Sequence, residues 1–260
     1  MFGKMKFEDM INTIQLGDCY ELIKNIPDKS IDCIYVDVPY YYESGGYGNS
    51  DIAKQIAKYT KDDLKEKNIY DGFDTKIYDE FIRVCKKVNI YIWCSRLQIV
   101  ETLNYFVSKG YLFNILCWCK TNPIPATNNS WLSDIEYCLN FRESGCKLND
   151  GYELKSKYYI SPLNQNDKSL FKHPTIKPLE LVKRHILHST QPNDIVLDCF
   201  CGSGTTCVAC KETNRRFIGM EIDPEYHKIA VNRLNGITAN GQLSIFTDIS
   251  QIGKDNATAN

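Results

Sequence analysis

The sequence predicts an α/β domain of three layers built on a mostly parallel sheet. Three observations predict it. Short apolar runs of strand length alternate with helical patterns along most of the 260 residues, the signature of strand–helix–strand repetition. Two of the runs end in an acid followed closely by proline or glycine, in "IYVDVPYYY" and "IVLDCFCGSGTT". The length suits one substantial core better than two.

Taken in order, strands are expected at 13–16, 33–36, 90–93, 114–118, 137–141, 195–198 and 217–221, each a run rich in Ile, Val, Tyr, Trp or Cys. Helices are expected at 20–26, 78–85, 97–109, 178–189, 205–212 and 224–234. In the last, Tyr226, Ile229, Ala230 and Leu234 fall near one face, and Asp223 followed by Pro224 reads as a cap and a first-turn proline. Two stretches break the alternation. Residues 41–74 are polar and contain "ESGGYGNSD", while 145–172 are irregular and basic. Loops of this length in a compact domain point to function or disorder. The expected organisation is a domain over 1–240, with 130–172 as a target-recognition insertion, 41–74 as a mobile substrate loop and 241–260 as a frayed tail.

Hydrophobic residues at 43% and charged residues at 24% are ordinary for a globular protein. No apolar run reaches the roughly 18 residues needed to span a bilayer. The opening "MFGKMKFEDM" carries acids where a signal peptide needs an apolar core, so a cytoplasmic protein without membrane partners is expected. The twelve cysteines then read as reduced thiols acting as small apolar fillers. Near pairs such as Cys117 with Cys119 and Cys207 with Cys210 lack histidines at ligand spacing, and no metal is expected. A net charge of −1 does not mark a general nucleic-acid binder. Between 145 and 190, however, eight Lys or Arg face four acids, with tyrosines interleaved. That composition suits a polyanion with stackable bases, though on charge alone a solvated loop is the better reading.

The strongest string is "IVLDCFCGSGTT", residues 195–206. A strand ends at Asp198, a glycine turn follows, and a helix opens near Thr205. Gly202 and Gly204 let a ligand approach the backbone, and the helix start offers unpaired N–H groups to a carboxylate or phosphate. "RRFIGMEID" adds a second strand ending in Glu221, placed to take the hydroxyls of a ribose. Two ligands remain open, a nicotinamide dinucleotide and S-adenosylmethionine. Against the first, Cys207 stands where a third glycine is wanted, and Asp198 would repel a pyrophosphate but suit an ammonium.

"DVPY" (residues 37–40), "HPTIKP" (173–178) and "DCFCGSGTT" (198–206), in that order, resemble the S-adenosylmethionine-dependent DNA amino-methyltransferases that act on adenine N6 or cytosine N4. The order is that of the permuted, beta-type class, in which the catalytic motif precedes the cofactor loop. "CWCKTNPIP" also resembles a family segment. The resemblance implies a Rossmann-like methyltransferase fold with permuted motif order. It implies Asp37, Val38, Pro39 and Tyr40 as the catalytic set. It implies Asp198, Phe200, Gly202, Ser203, Gly204, Thr205 and Glu221 around the cofactor, with Thr175 and Lys177 near its carboxylate and Asp18 near its adenine. Double-stranded DNA is the implied partner. A homodimer would help so short a recognition region hold it.

The chemistry asks for these residue types. An exocyclic amine is a poor nucleophile because its lone pair is delocalised into the ring. Two acceptors, the Asp37 carboxylate and the next residue's carbonyl, favour the tetrahedral, positively charged nitrogen that forms during attack. Tyr40 offers a π face to a base rotated out of the duplex. The family usually has proline where this chain has Val38, which keeps the carbonyl but not the fixed φ. The expected function is adenine-N6 methylation of DNA, since Asp stands at the first catalytic position. Cytosine-N4 methylation, or a weakened DNA-binding relic, is the alternative. In isolation Asp37 would read as a turn acid, His173 as a structural hydrogen-bonder, and Trp118 and Trp131 as core.

Overall fold

The computed structural model describes residues 5–41, 72–123, 131–173 and 175–241. Most of the expected substrate loop at 41–74 and of the tail at 241–260 lies outside the described residues. Eight strands form one sheet: β1 (Thr13–Leu16), β2 (Cys33–Asp37), β3 (Asn89–Cys94), β4 (Leu112–Lys120), β5 (Ile135–Arg142), β6 (Tyr158–Ser161), β7 (Ile195–Asp198) and β8 (Arg216–Glu221). Their order is β1-β8-β7-β2-β3-β5-β4-β6. All neighbouring pairs are parallel except those made by β5, which runs antiparallel to β3 and β4.

The helices are α1 (Phe7–Met10), α2 (Cys19–Leu22), α3 (Ile77–Val84), α4 (Ile99–Ser108), α5 (Gln165–Phe171), α6 (Leu179–Ser189), α7 (Thr205–Glu212) and α8 (Pro224–Leu234). A short 3₁₀ turn, Ile23–Asn25, extends α2. The alternating strands present different residues to the two helical layers. One core joins Ile34, Val36, Ile90, Ile92 and Leu197 to Phe81 and Phe106 of α3 and α4. The other joins Tyr35, Tyr91, Trp93 and Val196 to Val182, Ile186, Ala209 and Ala230 of α6, α7 and α8. The fold is therefore the three-layer, mostly parallel arrangement that the alternation predicts.

Nine of the twelve cysteines are buried and all are free, filling gaps between sheet and helices. Asp223 caps α8 by accepting the N–H groups of Glu225 and Tyr226, with Pro224 in the first turn. Three elements go beyond the sequence reading: α1 near the start, and β6 and α5, the last two within the stretch that reads as irregular. Within the expected insertion 130–172, β5 lies in the sheet between β3 and β4, and β6 forms the edge beyond β4.

Candidate active site

β2 and β7 are neighbours in the sheet but lie far apart in the chain, and both end in an acid, Asp37 and Asp198. From β7 the chain proceeds through α7 to β8 on one side, and from β2 through α3 to β3 on the other. The crevice between the carboxyl ends of two such strands is where open α/β sheets bind ligands. A cavity of about 480 Å³ lies there. Asp18, Asp37, Val38, Pro39, Tyr40, Thr175, Lys177, Asp198, Phe200, Gly202, Ser203, Thr205 and Glu221 line it. Gly204 stands behind the wall as the N-cap of α7. Phe73 packs edge-on against Phe200, their ring centres 5.9 Å apart, and completes the apolar side.

The glycine turn is built to leave room. Gly202 and Gly204 have φ of +49° and +76°, values that side chains disfavour. A Cβ on Gly204 would stand 3.0 Å from the Cβ of Ala230. Glu221 clamps the turn, accepting the Gly202 N–H at 2.8 Å and, with its other oxygen, the Asp223 N–H at 2.9 Å. Asp198 accepts the Phe200 N–H at 3.1 Å. Burial pushes the Asp198 carboxyl up to about 7, against the hydrogen bonds that pull it down. Behind the loop the buried guanidinium of Arg233 donates to Thr205 Oγ1 at 2.6 Å and to Ser203, and pairs with Asp167 of α5 at 3.1 Å. His173 lies against the same turn and accepts the N–H of Thr175 through Nδ1.

At the other end of the cavity the charges alternate. Lys177 Nζ stands 2.5 Å from Asp37 Oδ2 and 3.0 Å from Glu136 of β5. Glu136 in turn pairs with Lys120 of β4 at 2.8 Å. The Lys177 ammonium also lies 5.2 Å from the centre of the Trp93 ring and 5.6 Å from that of Tyr40. Burial raises the Asp37 carboxyl above the usual range, while the ammonium of Lys177 acts in the opposite sense. Glu136 is held down at about 2: its burial raises it, but the two lysines more than compensate. Asp37 Oδ1 is buried without a hydrogen-bond partner among the described residues. Trp93 Nε1 donates to the Tyr35 hydroxyl at 2.8 Å, which reaches His185 Nδ1 at 3.1 Å, so a buried polar chain supports the floor. Burial holds His185 down at about 3, keeping it neutral.

The turn after Asp37 is held from outside the motif. Val38 is buried and its N–H donates to the Trp93 carbonyl at 3.2 Å, extending the β2–β3 ladder by one rung. A proline there would lack this donor. Gln98, itself buried, donates to the Pro39 carbonyl at 2.9 Å and accepts from the Ser95 N–H.

Residues 31–232 match the family model described as DNA methylase, of the N6 and N4 type. The chain belongs to this family. It is 33% identical over 238 residues to the Type II methyltransferase M2.LlaDCHI of Lactococcus lactis subsp. cremoris, a match spanning 84% of this chain and 87% of that one. It is likewise 33% identical to M2.DpnII of Streptococcus pneumoniae, over 84% of this chain and 87% of the relative. Among solved structures, the M1.HpyAVI–SAM complex superposes with a TM-score of 0.62 at 27% identity, covering 86% of this chain and 98% of that one. The cytosine-N4-specific PvuII methyltransferase shares the fold, with a TM-score of 0.60 at 15% identity over 92% and 90% of the two chains. The chain is thus a DNA methyltransferase with the Rossmann-like fold of that family.

For this methylase the sequence motifs converge on one cavity, but they do not exhaust it. Glu136, Gln98 and Arg233 carry no motif. A lone acid within the apolar run "IEYCLNF" was the only signal for Glu136. Lys177, read from the sequence as a neighbour of the cofactor carboxylate, bonds to Asp37 and Glu136.

Proposed function

We propose that this methylase transfers a methyl group from S-adenosylmethionine to the exocyclic N6 amine of adenine in double-stranded DNA, after the base has been flipped from the stack. One observation carries the reading: Asp37 and the glycine turn closed by Glu221 line the same cavity at the ends of adjacent strands. The pocket's chemistry fits the cofactor. Asp198 is a buried acid with no salt bridge among the described residues, suited to an ammonium. Glu221 retains acceptor capacity for ribose hydroxyls, and Gly202 to Thr205 with the start of α7 suit a carboxylate. Thr175 and Asp18 also line the cavity. When bound, the cofactor supplies an electrophilic methyl on sulfur.

The chain's own residues do the rest. Asp37 and the Val38 carbonyl accept the two amine hydrogens, localise the nitrogen lone pair and stabilise the charge it gains. Tyr40 offers its ring to the flipped base, which must leave the duplex for the amine to be reached. Asp at the first motif position favours adenine by resemblance to the family. Incubating duplex DNA with methyl-tritiated cofactor tests the proposal. Label in the DNA is expected; binding without label would establish a non-catalytic relic.

Asp198 makes the first step sensitive to pH. Its folded carboxyl keeps a proton between 3.8 and about 7 that the unfolded chain has released. This group's contribution to stability therefore falls as the pH rises through that window. An ammonium beside it needs the ionised form, so cofactor affinity should weaken as the pH drops below about 7. Calorimetry at pH 7 in buffers of different ionisation enthalpy should register proton release on binding. Pairing an ionised Asp198 predicts this release; none at all would exclude that pairing.

Segment 130–172, with Lys155, Lys157, Lys168 and Lys172, is the proposed target-recognition part, and residues 41–74 the substrate loop. Beside α4, β4 exposes Phe113 and Ile115 at 47% and 40%, with Val100 at 66% on the helix. A second copy is the proposed occupant of that apolar strip, which sedimentation equilibrium would report as a dimer. No described helix is long and apolar enough to cross a membrane; the cytoplasm is the proposed location.

A further inference from the structure

Lys177 lies between the buried Ile176 and Pro178, which caps the start of α6. Its side chain is only 10% exposed, yet it carries the ammonium into the catalytic end of the cavity. No lysine is buried there without consequence, because an unpaired buried charge is strongly unfavourable. Two carboxylates face it from two different strands, Asp37 at the end of β2 and Glu136 on β5. Lys120 on β4 then balances Glu136 from its far side. The four groups form a row of alternating sign, Lys120, Glu136, Lys177 and Asp37, held by contacts of 2.8, 3.0 and 2.5 Å.

We infer that Lys177 is a positioning residue for the amine-gripping carboxylate: its bond to Oδ2 fixes the plane of Asp37, its charge keeps Asp37 ionised, and Glu136 keeps Lys177 in place. The inference rests on the reading of Asp37 as the amine acceptor and assigns what makes it one. An ionised carboxylate only accepts hydrogen bonds, whereas a protonated one also donates and competes for the same lone pairs. Without Lys177 the surroundings of Asp37 oppose ionisation. Glu136 from β5 and Asp198 from β7 repel its charge, while Cys94 of β3, Cys138 of β5, and Tyr35 and Tyr40 are neutral neighbours in a buried wall. Tyr40 hydrogen-bonds Asp37 and supports the ionised form, but as a neutral donor. Lys177 is the cation in the row that touches Asp37.

The test begins on the free protein, without cofactor or DNA. Aspartate labelled with ¹³C at the carboxyl carbon is followed through a pH titration, and the Asp37 signal is assigned by its disappearance in Asp37→Asn. Lys177→Met should raise the Asp37 midpoint by about 1–3 pH units, the range for loss of an adjacent opposite charge. Lys177→Arg should hold the midpoint near that of the parent protein. The double variant Lys177→Met with Glu136→Gln should bring it part of the way back, since the repelling carboxylate has gone. An unmoved midpoint in Lys177→Met overturns the inference, and so does a double variant no different from the single one. If Lys177→Met does not fold, Lys177→Gln keeps a hydrogen-bonding group without the charge and answers the same question.

The rate of methyl transfer gives a second readout. The acid limb of the pH–rate profile in Lys177→Met should move up with the midpoint. Below the raised midpoint the rate should fall by about tenfold for each pH unit, and it should recover at higher pH. A uniform loss at all pH values would leave Lys177 merely structural and overturn the inference. Absence of transfer by the parent protein would instead strike the proposed function, and the titration would still decide the role of Lys177.

Discussion

Asp37→Ala lowers methyl transfer by about 10²–10³-fold or more, the scale for removing a preorganised group that meets developing charge, while S-adenosylmethionine still binds. The separation follows from the geometry. Asp37 ends β2 and closes the catalytic end of the cavity, whereas Glu221, Asp198 and the glycine turn end β8 and β7. Alanine leaves one acceptor, the Val38 carbonyl, so nothing offsets the second amine hydrogen. It also leaves Lys177 with Glu136 as its carboxylate partner, and some loss of thermal stability should accompany the kinetic defect. Single-turnover transfer, calorimetric cofactor binding and a thermal melt separate the three effects. A rate within a few fold of the parent protein would exclude the carboxylate from the chemistry.

Glu221→Gln should weaken S-adenosylmethionine binding by about 10–100-fold, the worth of hydrogen bonds to a charged group. The two carboxylate oxygens already take the Gly202 and Asp223 N–H groups, so the side chain is fixed before any ligand arrives. Fixed acceptors pay little ordering entropy on binding, which is why their loss shows in affinity. Glutamine keeps one acceptor oxygen and must turn its amide towards one of those N–H donors. The glycine turn then loosens by about 1 kcal/mol, the net worth of a hydrogen bond. Isothermal titration shows the effect directly. Unchanged affinity would remove the ribose from Glu221 and reassign the cavity wall.

The fold was readable where local pattern and tertiary role agree. β1, β7, α7 and α8 fall at 13–16, 195–198, 205–212 and 224–234 as their periodicity and caps predict. β6 and α5 were not readable. Tyr158–Ser161 is an edge strand of four residues whose partner, β4, lies some forty residues earlier, and its sequence is too short and mixed to show a period. α5 is capped by Asn164 within a polar run, and Asp167 on it pairs with Arg233. Such a bond between distant segments leaves no trace in a local pattern.

The same distinction divides the site. Residues carried by a motif, such as Asp37, Asp198, Gly202 and Glu221, meet in the cavity. Their roles depend on neighbours that motifs do not name. Lys177 is 140 residues from Asp37 in the chain, and only the placement of β5 beside β3 brings Glu136 to the ammonium. Val38 shows the converse. Its departure from the family's proline reads as a weakness in the sequence, yet its N–H makes a bond to Trp93 that proline could not.

Mass spectrometry of nucleosides digested from duplex DNA, after incubation with cofactor carrying a deuterated methyl group, tests the central claim most directly. The account predicts labelled N6-methyldeoxyadenosine with the parent protein and none with Asp37→Ala. Label found on cytosine, whether at its ring carbon or its amine, or label undiminished in Asp37→Ala, would contradict it.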